Sequence, residues 1–359
     1  MLTRLYVDNF RCFEKFEWKP ERKQLILGRS GTGKSSLMDT VDYLARVVGW
    51  HERVDQYFKL NQRTRWLDQR EQTFEMEAEL LGGKYVYRLI TGPVGDPPRL
   101  RVYSEELLAP DLRLEFVDGR LAVFHDGGPP AVVEAPDRDD SGIWKAIPKE
   151  FHTWITGISC WRINPTAMGS VVSRSDPYPQ SDLGNFAAWY QHLVQAKPAE
   201  NAAFVQDLRE SLDCFDRLSL EQPVEGLSVL NAEFLRNGSP ITMPFDELSD
   251  GQRCLICLYA ITHFIVANGG TVIIDEPDNF ISLREIQPWL MGIEEMADDH
   301  DGQVILISHH PEILNQWAGP YGVQFVREGA GRVEVREFKG DPESSLSVAE
   351  LVARGWDLE

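Results

Sequence analysis

From Leu2 to Phe10 apolar and polar positions alternate with the period of a half-buried strand, and Phe13, Phe16 and Trp18 carry the pattern into a hairpin. Leu25-Ile26-Leu27 is a short continuous apolar run, and Leu37, Val41, Leu44 and Val47 follow it at helical spacing. His51–Arg70 reads as a second helix, with Val54, Tyr57, Phe58, Leu60 and Leu67 as its apolar contacts. From Phe74 the period drops to two. Phe74-Met76-Ala78-Leu80 and Tyr85-Tyr87-Leu89 flank Gly82-Gly83 as an antiparallel hairpin. Leu112-Leu114-Phe116, Asp118-Gly119 and Leu121-Val123-Phe124 repeat the arrangement, while 92–98 and 126–142, rich in Gly, Pro and Asp, read as surface loops.

Further along, Thr156–Ile163 is a strand candidate that ends at Asn164-Pro165. Asp182–Gln195 and Ala199–Leu212 read as paired helices broken by Pro198, and Leu227–Phe234 as a strand. Leu255, Ile256, Leu258, Tyr259 and Ile261 lie on an apolar helix. Thr271–Ile274 and Val304–Ile307 are apolar throughout, as strands buried on both faces are. The mixture predicts an α/β fold. There is no internal repeat, no low-complexity tract and no heptad pattern.

Composition adds exclusions to this picture. Of 359 residues 43% are hydrophobic and 26% charged, as in globular chains. No apolar run approaches the roughly 18 residues that span a bilayer, and the start Met1-Leu2-Thr3-Arg4-Leu5 lacks a signal-peptide layout, so a cytoplasmic protein without membrane contact is expected. Five cysteines suit a reducing compartment, and Cys254 and Cys257, a lone C-x-x-C in a helical run, read as core packing. The net charge of −20 argues against a surface broadly built for DNA. Residues 1–70, however, hold 14 Lys and Arg against 9 Asp and Glu, so any polyanion meets this N-terminal part.

The candidate chemistry begins at Gly28-Arg29-Ser30-Gly31-Thr32-Gly33-Lys34-Ser35, which fits G-x-x-x-x-G-K-[ST] between a strand and a helix. Backbone N–H groups of such a loop wrap phosphate, with Ser36 in the following turn. Lys34 is read as reaching the β- and γ-phosphates of ATP, and the Ser35 hydroxyl as a Mg²⁺ ligand. Asp275-Glu276-Pro277 places two carboxylates at the end of an apolar strand: Asp275 is the second candidate ligand for Mg²⁺, and Glu276 the group that orients or deprotonates water. Ser308-His309-His310 ends the next apolar strand, and His309 is a candidate γ-phosphate sensor or simply a turn residue. Leu248-Ser249-Asp250-Gly251-Gln252 precedes the apolar helix, so Ser249 is either an N-cap or part of an anion site.

In this order, the phosphate loop, Leu248–Gln252, the Asp-Glu-Pro strand and the Ser-His strand resemble an ABC-type ATPase, with Asp250 where the common signature has glycine. Asn9-Phe10-Arg11, Asp182-Leu183-Gly184-Asn185-Phe186-Ala187 and Asp275-Glu276-Pro277-Asp278-Asn279 point to the RecF-like and SMC-like group, closest to short bacterial ATPases with an AAA-type core related to OLD-family proteins. The resemblance implies a P-loop NTPase fold of ABC-ATPase type, a mixed central sheet with helices plus an antiparallel β-rich lobe. It implies one head over 1–359: a phosphate-loop part (1–71), a β-rich insertion (72–150), a helical and connecting region (151–247), a lobe with signature, Walker B and switch histidine (248–340), and a tail (341–359). It also implies a homodimer with ATP sandwiched head to tail, so that Ser249, Asp250, Gly251 and Gln252 of one subunit face Lys34 and Ser35 of another, with Arg11 near the nucleotide. Ser282 and Ser30 depart from the usual residues, and no Q-loop glutamine stands in 163–170.

About 210 residues separate Lys34 from Ser249, too few for a long coiled coil, and the stretch after Phe338 is too short for a nuclease domain. The expected activity is therefore ATP hydrolysis that switches a dimer and is read by a partner effector, a role relatives fill in anti-phage defence. The alternative is a RecF-like DNA-binding clamp in repair or recombination, with Arg63 and Arg65 as contacts. A nucleotide subunit of a membrane transporter fits the antiparallel segment and the Asn-Phe-Arg start less well.

Overall fold

The computed structural model describes residues 1–117, 119–125, 130–134, 141–329, 331–338 and 346–354. Two compact units divide it, one made of Met1–Ser159 with Tyr321–Phe338, the other of Cys160–Pro320 with Lys339–Glu359.

In the first unit the period-two stretches become one antiparallel sheet of eight strands. These are β1 (Leu2–Asp8), β2 (Phe16–Trp18), β4 (Gln72–Leu80), β5 (Gly83–Val94), β6 (Arg99–Ala109), β7 (Leu112–Val117), β8 (Arg120–His125) and β9 (Ala131–Glu134), in the order β2-β1-β4-β5-β6-β7-β8-β9. Register puts Val7 opposite Phe74 and Phe74 opposite Leu89, and two residues along it puts Leu5 opposite Met76 and Met76 opposite Tyr87. All six side chains are buried, so alternation in three separate strands builds one apolar face. The β-rich segment thus continues the sheet that β1 and β2 begin. Separately, β3 (Lys23–Leu27) pairs in parallel with Gly322–Arg327, which pairs antiparallel with Val333–Glu337.

Four expectations are corrected here. His51–Arg70 is not a helix: it contains one helical turn, α2 (Val54–Tyr57), after α1 (Lys34–Leu44), then a 3-10 turn at Leu60–Gln62 and an irregular segment. Its apolar residues serve an aromatic cluster instead of a helix stripe. Phe58 packs on Phe10 and Phe74 with ring centroids 5.7 and 4.5 Å away, and Asn9 takes up the backbone hydrogen-bonding groups of the segment that follows. The loop expected over 92–98 begins only after Val94, because the Tyr103 hydroxyl donates to the Pro93 carbonyl at 2.7 Å and keeps the hairpin paired. Within 126–142, residues 131–134 form β9, while 126–129 and 135–140, like Asp118 of the Asp118-Gly119 turn and 341–345 and 355–359 of the tail, lie outside the described residues. A third helix, α3 (Lys149–Thr156), occupies the first residue of the strand expected from Thr156; the strand itself, β10, is Ile158–Trp161.

In the second unit β11 (Val171–Val172), β12 (Phe215–Val224) and β14 (Ser239–Pro244) all pair with β13 (Leu227–Arg236) in an antiparallel sheet. β15 (Thr271–Asp275) and β16 (Gln303–Ile307) are a parallel pair, buried throughout except at Asp275. The paired helices are α4 (Phe186–Ala196) and α5 (Pro198–Ser211), with Pro198 opening the second, where its missing N–H has no partner to lose. Asp182–Asn185 is a turn before α4: the Asn185 amide donates to Asp176 and to the Tyr178 carbonyl, both at 2.9 Å. α6 (Asp250–Phe264) is buried from Cys254 onward, and α7 (Leu283–Asp299) presents Ile286, Trp289, Leu290 and Ile293 to the core. Cys254 and Cys257 are core residues, and burial pushes the Cys254 thiol up to about 12.

Candidate functional site

The phosphate-loop residues lie in the first unit. Gly28 and Gly33 have φ of 149° and 98°, a backbone region L side chains rarely adopt, and a Cβ on Gly28 would lie 2.6 Å from the Phe325 carbonyl oxygen. The loop therefore needs glycine at both ends for different reasons, conformation and close packing. Arg29, Ser30, Gly31 and Ser35 are exposed, whereas Thr32 is buried and donates its hydroxyl to the Arg29 carbonyl at 2.8 Å, which holds the loop's curvature. Gly33 caps α1 with no side-chain partner, leaving the first-turn N–H groups to the loop's concavity. Lys34 donates to the carbonyls of Gly28 and Arg29. Ser36 hydrogen-bonds the Cys12 thiol, whose pKa is raised chiefly by burial.

Asn9-Phe10-Arg11 acquires a physical account. Asn9 and Arg11 have φ of 59° and 53°, turning the chain sharply after β1. The fully buried Asn9 donates to the carbonyls of Gln69 and Glu71 at 2.9 and 2.7 Å and accepts from the Thr64 N–H at 3.1 Å. Phe10 anchors the aromatic cluster. Arg11 pairs with Asp39 on α1 and lies over the rings of Phe10 and Tyr43. Its guanidinium is thus fixed on the helix that the phosphate loop begins.

The second unit holds the other candidates. Ser249 is exposed and caps α6 in a reciprocal box: its Oγ accepts from the Gln252 N–H at 3.2 Å, and the Gln252 carboxamide oxygen accepts from the Ser249 N–H at 3.1 Å. Asp250, the departure from glycine, accepts from Arg253 at 2.5 Å, and the same guanidinium donates to the Pro165 carbonyl at 2.7 Å. Gly251 has no room for a side chain, since a Cβ would lie 2.6 Å from the carbonyl oxygen of Phe280. The signature turn and the loop after β15 therefore touch within one unit.

That loop is conformationally tense. Glu276 and Phe280 have φ of 51° and 74°, sparsely populated for non-glycine residues. The Glu276 N–H donates to the Ile307 carbonyl at 2.7 Å, and its exposed carboxylate accepts from the Asn279 amide at 2.8 Å. Buried Ser308 donates to Asp278 at 2.6 Å and accepts from the His310 N–H at 2.9 Å, which leaves His309 between them at an exposed position. Asp275 lies 3.2 Å from the Nε of Arg162. Sequence reasoning passed over Arg162 and Arg253 and named Asp278 only as part of the Asp275–Asn279 motif, because the contacts of Arg162 with Asp275, Arg253 with Pro165 and Asp278 with Ser308 join residues far apart in sequence. The carboxylate of Asp275 and the hydroxyl of Ser35 are hard oxygen donors of the kind Mg²⁺ takes in company with phosphate and water. Among the described residues no cluster of three or more His, Cys, Asp or Glu forms a metal site of protein ligands alone.

Fold and motifs together define a P-loop NTPase of the ABC-ATPase type. The chain belongs to the family described as "AAA domain, putative AbiEii toxin, Type IV TA system", which matches residues 25–315. No curated protein matches it. Among solved structures, an Smc head bound to the C-terminal winged-helix domain of ScpA is similar at 14% identity and a TM-score of 0.56, covering 94% of this chain and 98% of that one. An SMC head from Thermotoga maritima gives 14% and 0.50, covering 94% and 99%. A Pyrococcus furiosus Smc head with an extended coiled coil, bound to the C-terminal domain of ScpA, gives 12% and 0.50, covering 99% of both chains.

Proposed function

We propose that the protein is an ATP-hydrolysing switch whose ATP-bound form is a head-to-tail homodimer and whose state is read by a protein effector. The observation that carries this reading is Glu276, an exposed carboxylate at the end of an otherwise buried strand, held in left-handed backbone and oriented by Asn279. A carboxylate so placed is suited to hold and deprotonate a water. Lys34 and the loop N–H groups bind phosphate; Ser35 and Asp275 hold Mg²⁺, which when bound neutralises charge on the phosphates. His309, exposed after a buried strand, senses the γ-phosphate, and Arg11 lies beside the nucleotide. Exposed Ser249 at the start of α6, next to Asp250, Gly251 and Gln252, is available to a second copy's triphosphate.

The partner reading draws support from the family description, whose words include "putative AbiEii toxin" and "Type IV TA system", and from solved heads bound to another protein, ScpA. Closeness to OLD-family proteins, a place in anti-phage defence and cytoplasmic location belong to this proposal. The test is Glu276→Gln. Light scattering with Mg²⁺ and ATP should show a dimer that persists for hours, and whatever co-purifies with it identifies the effector. A variant that stays monomeric at saturating ATP overturns the sandwich.

DNA binding is the second reading, favoured by the exposure of Arg65 and Arg70 in the irregular segment after α2. Arg63 is partly committed to the carbonyls of Leu60 and Gln69. Affinity for duplex DNA that falls steeply with salt, and is lost on replacing Arg63 and Arg65, would support this reading; no binding at low salt removes it.

A further inference from the structure

At Arg162 the chain passes from the core to the surface. Trp161, the last residue of β10, is buried and packs on Trp189 with ring centroids 5.9 Å apart, whereas the Arg162 side chain is 43% exposed. The backbone here is tied at three points. The Arg162 N–H donates to the Ser181 carbonyl at 2.8 Å and the Asn164 N–H to the Asp182 carbonyl at 3.0 Å, and the Pro165 carbonyl accepts from the Arg253 guanidinium at 2.7 Å. Any movement at Arg162 is therefore movement of its side chain.

That side chain is aimed at one of the chemistry-bearing groups. Its Nε donates to Asp275 at 3.2 Å, and the Asp275 side chain is 16% exposed at the end of a strand buried along the rest of its length. A carboxylate so placed is costly to leave uncompensated. A guanidinium stays charged at every accessible pH, so it compensates steadily, yet an ion pair exposed on one side contributes little net and is readily exchanged. Asp275 is also the carboxylate read above as a ligand for Mg²⁺. An ion pair and a cation site then share one anion, and a guanidinium in contact with that anion opposes the approach of a dication by like-charge repulsion.

We propose that Arg162 is a positioning residue of the metal site, which holds Asp275 by charge until a divalent cation comes with the nucleotide and then gives the carboxylate up; this rests on the reading of Asp275 as a Mg²⁺ ligand. Two consequences of opposite sign follow. Asp275 paired with Arg162 repels a metal-free triphosphate less than Asp275 alone, so Arg162 favours metal-free nucleotide. Asp275 must also leave Arg162 before it serves the cation, so Arg162 weakens binding of the metal-loaded nucleotide. The residue therefore narrows the difference in affinity between the two forms, and a role confined to holding the fold together does not.

The experiment measures binding of AMP-PNP, a non-hydrolysable ATP analogue, to the full chain by calorimetry, once with Mg²⁺ and once with EDTA. Arg162→Gln should bind the metal-free analogue more weakly and the Mg²⁺ form at least as tightly as wild type, raising the ratio of the two affinities by about tenfold or more. Arg162→Lys keeps the charge and should keep the ratio within about threefold of wild type. In an Asp275→Asn background Arg162→Gln should leave the ratio unchanged, because the shared anion is gone. A ratio for Arg162→Gln equal to that of wild type overturns the proposal, as does an equal loss of both forms or a Lys variant that behaves as the Gln variant does. Wild-type protein that binds neither form overturns the nucleotide reading, and Asp275→Asn that leaves the wild-type ratio unchanged removes Asp275 from the metal site; both outcomes are separate from failure of Arg162 alone.

Discussion

At the scale of single residues, chemistry and packing make different demands on neighbouring positions. Glu276 is exposed and strained, so its replacement by Gln should leave the fold intact. Steady-state phosphate release should fall by roughly 10²–10⁴-fold, the usual contribution of a general base, while ATP affinity changes little. Gly251 is the opposite case. Gly251→Ala places a Cβ 2.6 Å from the Phe280 carbonyl oxygen, which forces the loop after β15 to move. Overpacking of this kind costs about 1–3 kcal/mol. Thermal unfolding should show a lowered midpoint, and hydrolysis should fall as well because Glu276 belongs to the displaced loop. Asn9 shows how a motif residue can be structural in effect: it satisfies three backbone groups of the segment after α2 from a fully buried position.

At the scale of elements, two buried titratable groups make stability depend on pH in opposite senses. Glu105 on β6 is buried and accepts from the Tyr87 and Ser141 hydroxyls at 2.8 and 2.7 Å and from the Gly142 and Ile143 N–H groups at 2.6 and 3.3 Å. Burial nonetheless raises its pKa above 4.5. The folded state then holds the proton more tightly than the unfolded one, so its contribution to stability declines as pH rises from 4.5 through the folded value. Glu105→Ala should remove that slope and cost about 3 kcal/mol or more in urea unfolding, since four donors lose their acceptor. His263 on α6 is held below 6.5 by burial, against the opposing pull of Asp207 at 2.8 Å. Here the unfolded state takes the proton first, so stability falls as pH drops below 6.5 until the folded value is passed. His263→Gln should flatten the acid side of a pH series of unfolding midpoints.

At the scale of the whole molecule, the question is association. Ser249 is exposed at the N-terminus of α6, and its hydroxyl serves the capping box only locally. Ser249→Arg leaves Asp250 and Arg253 paired within the chain and should prevent ATP-dependent dimerisation of the Glu276→Gln background in sedimentation velocity. A dimer that persists in the double variant would remove Ser249 from the interface. The net charge of −20 should keep the ATP-free protein dispersed at low salt.

The sequence by itself determined what short range and periodicity encode. Glycines at fixed offsets before Lys34 specify the loop, continuous apolar runs specify β3, β15 and β16, and strict alternation specifies β1, β4 and β5, because each follows from local sterics or from the faces of one element. Tertiary structure decided the rest. The apolar residues of 51–70 fit a helix as well as a cluster, and Phe10, Phe74 and the amide of Asn9, remote in sequence, chose the cluster. Arg162 found Asp275, and Arg327 found both Trp66 and Gly31, across separations of 113, 261 and 296 positions. A pairing at such distance is set by which surfaces the packed elements bring together, and no spacing rule within a single element records it.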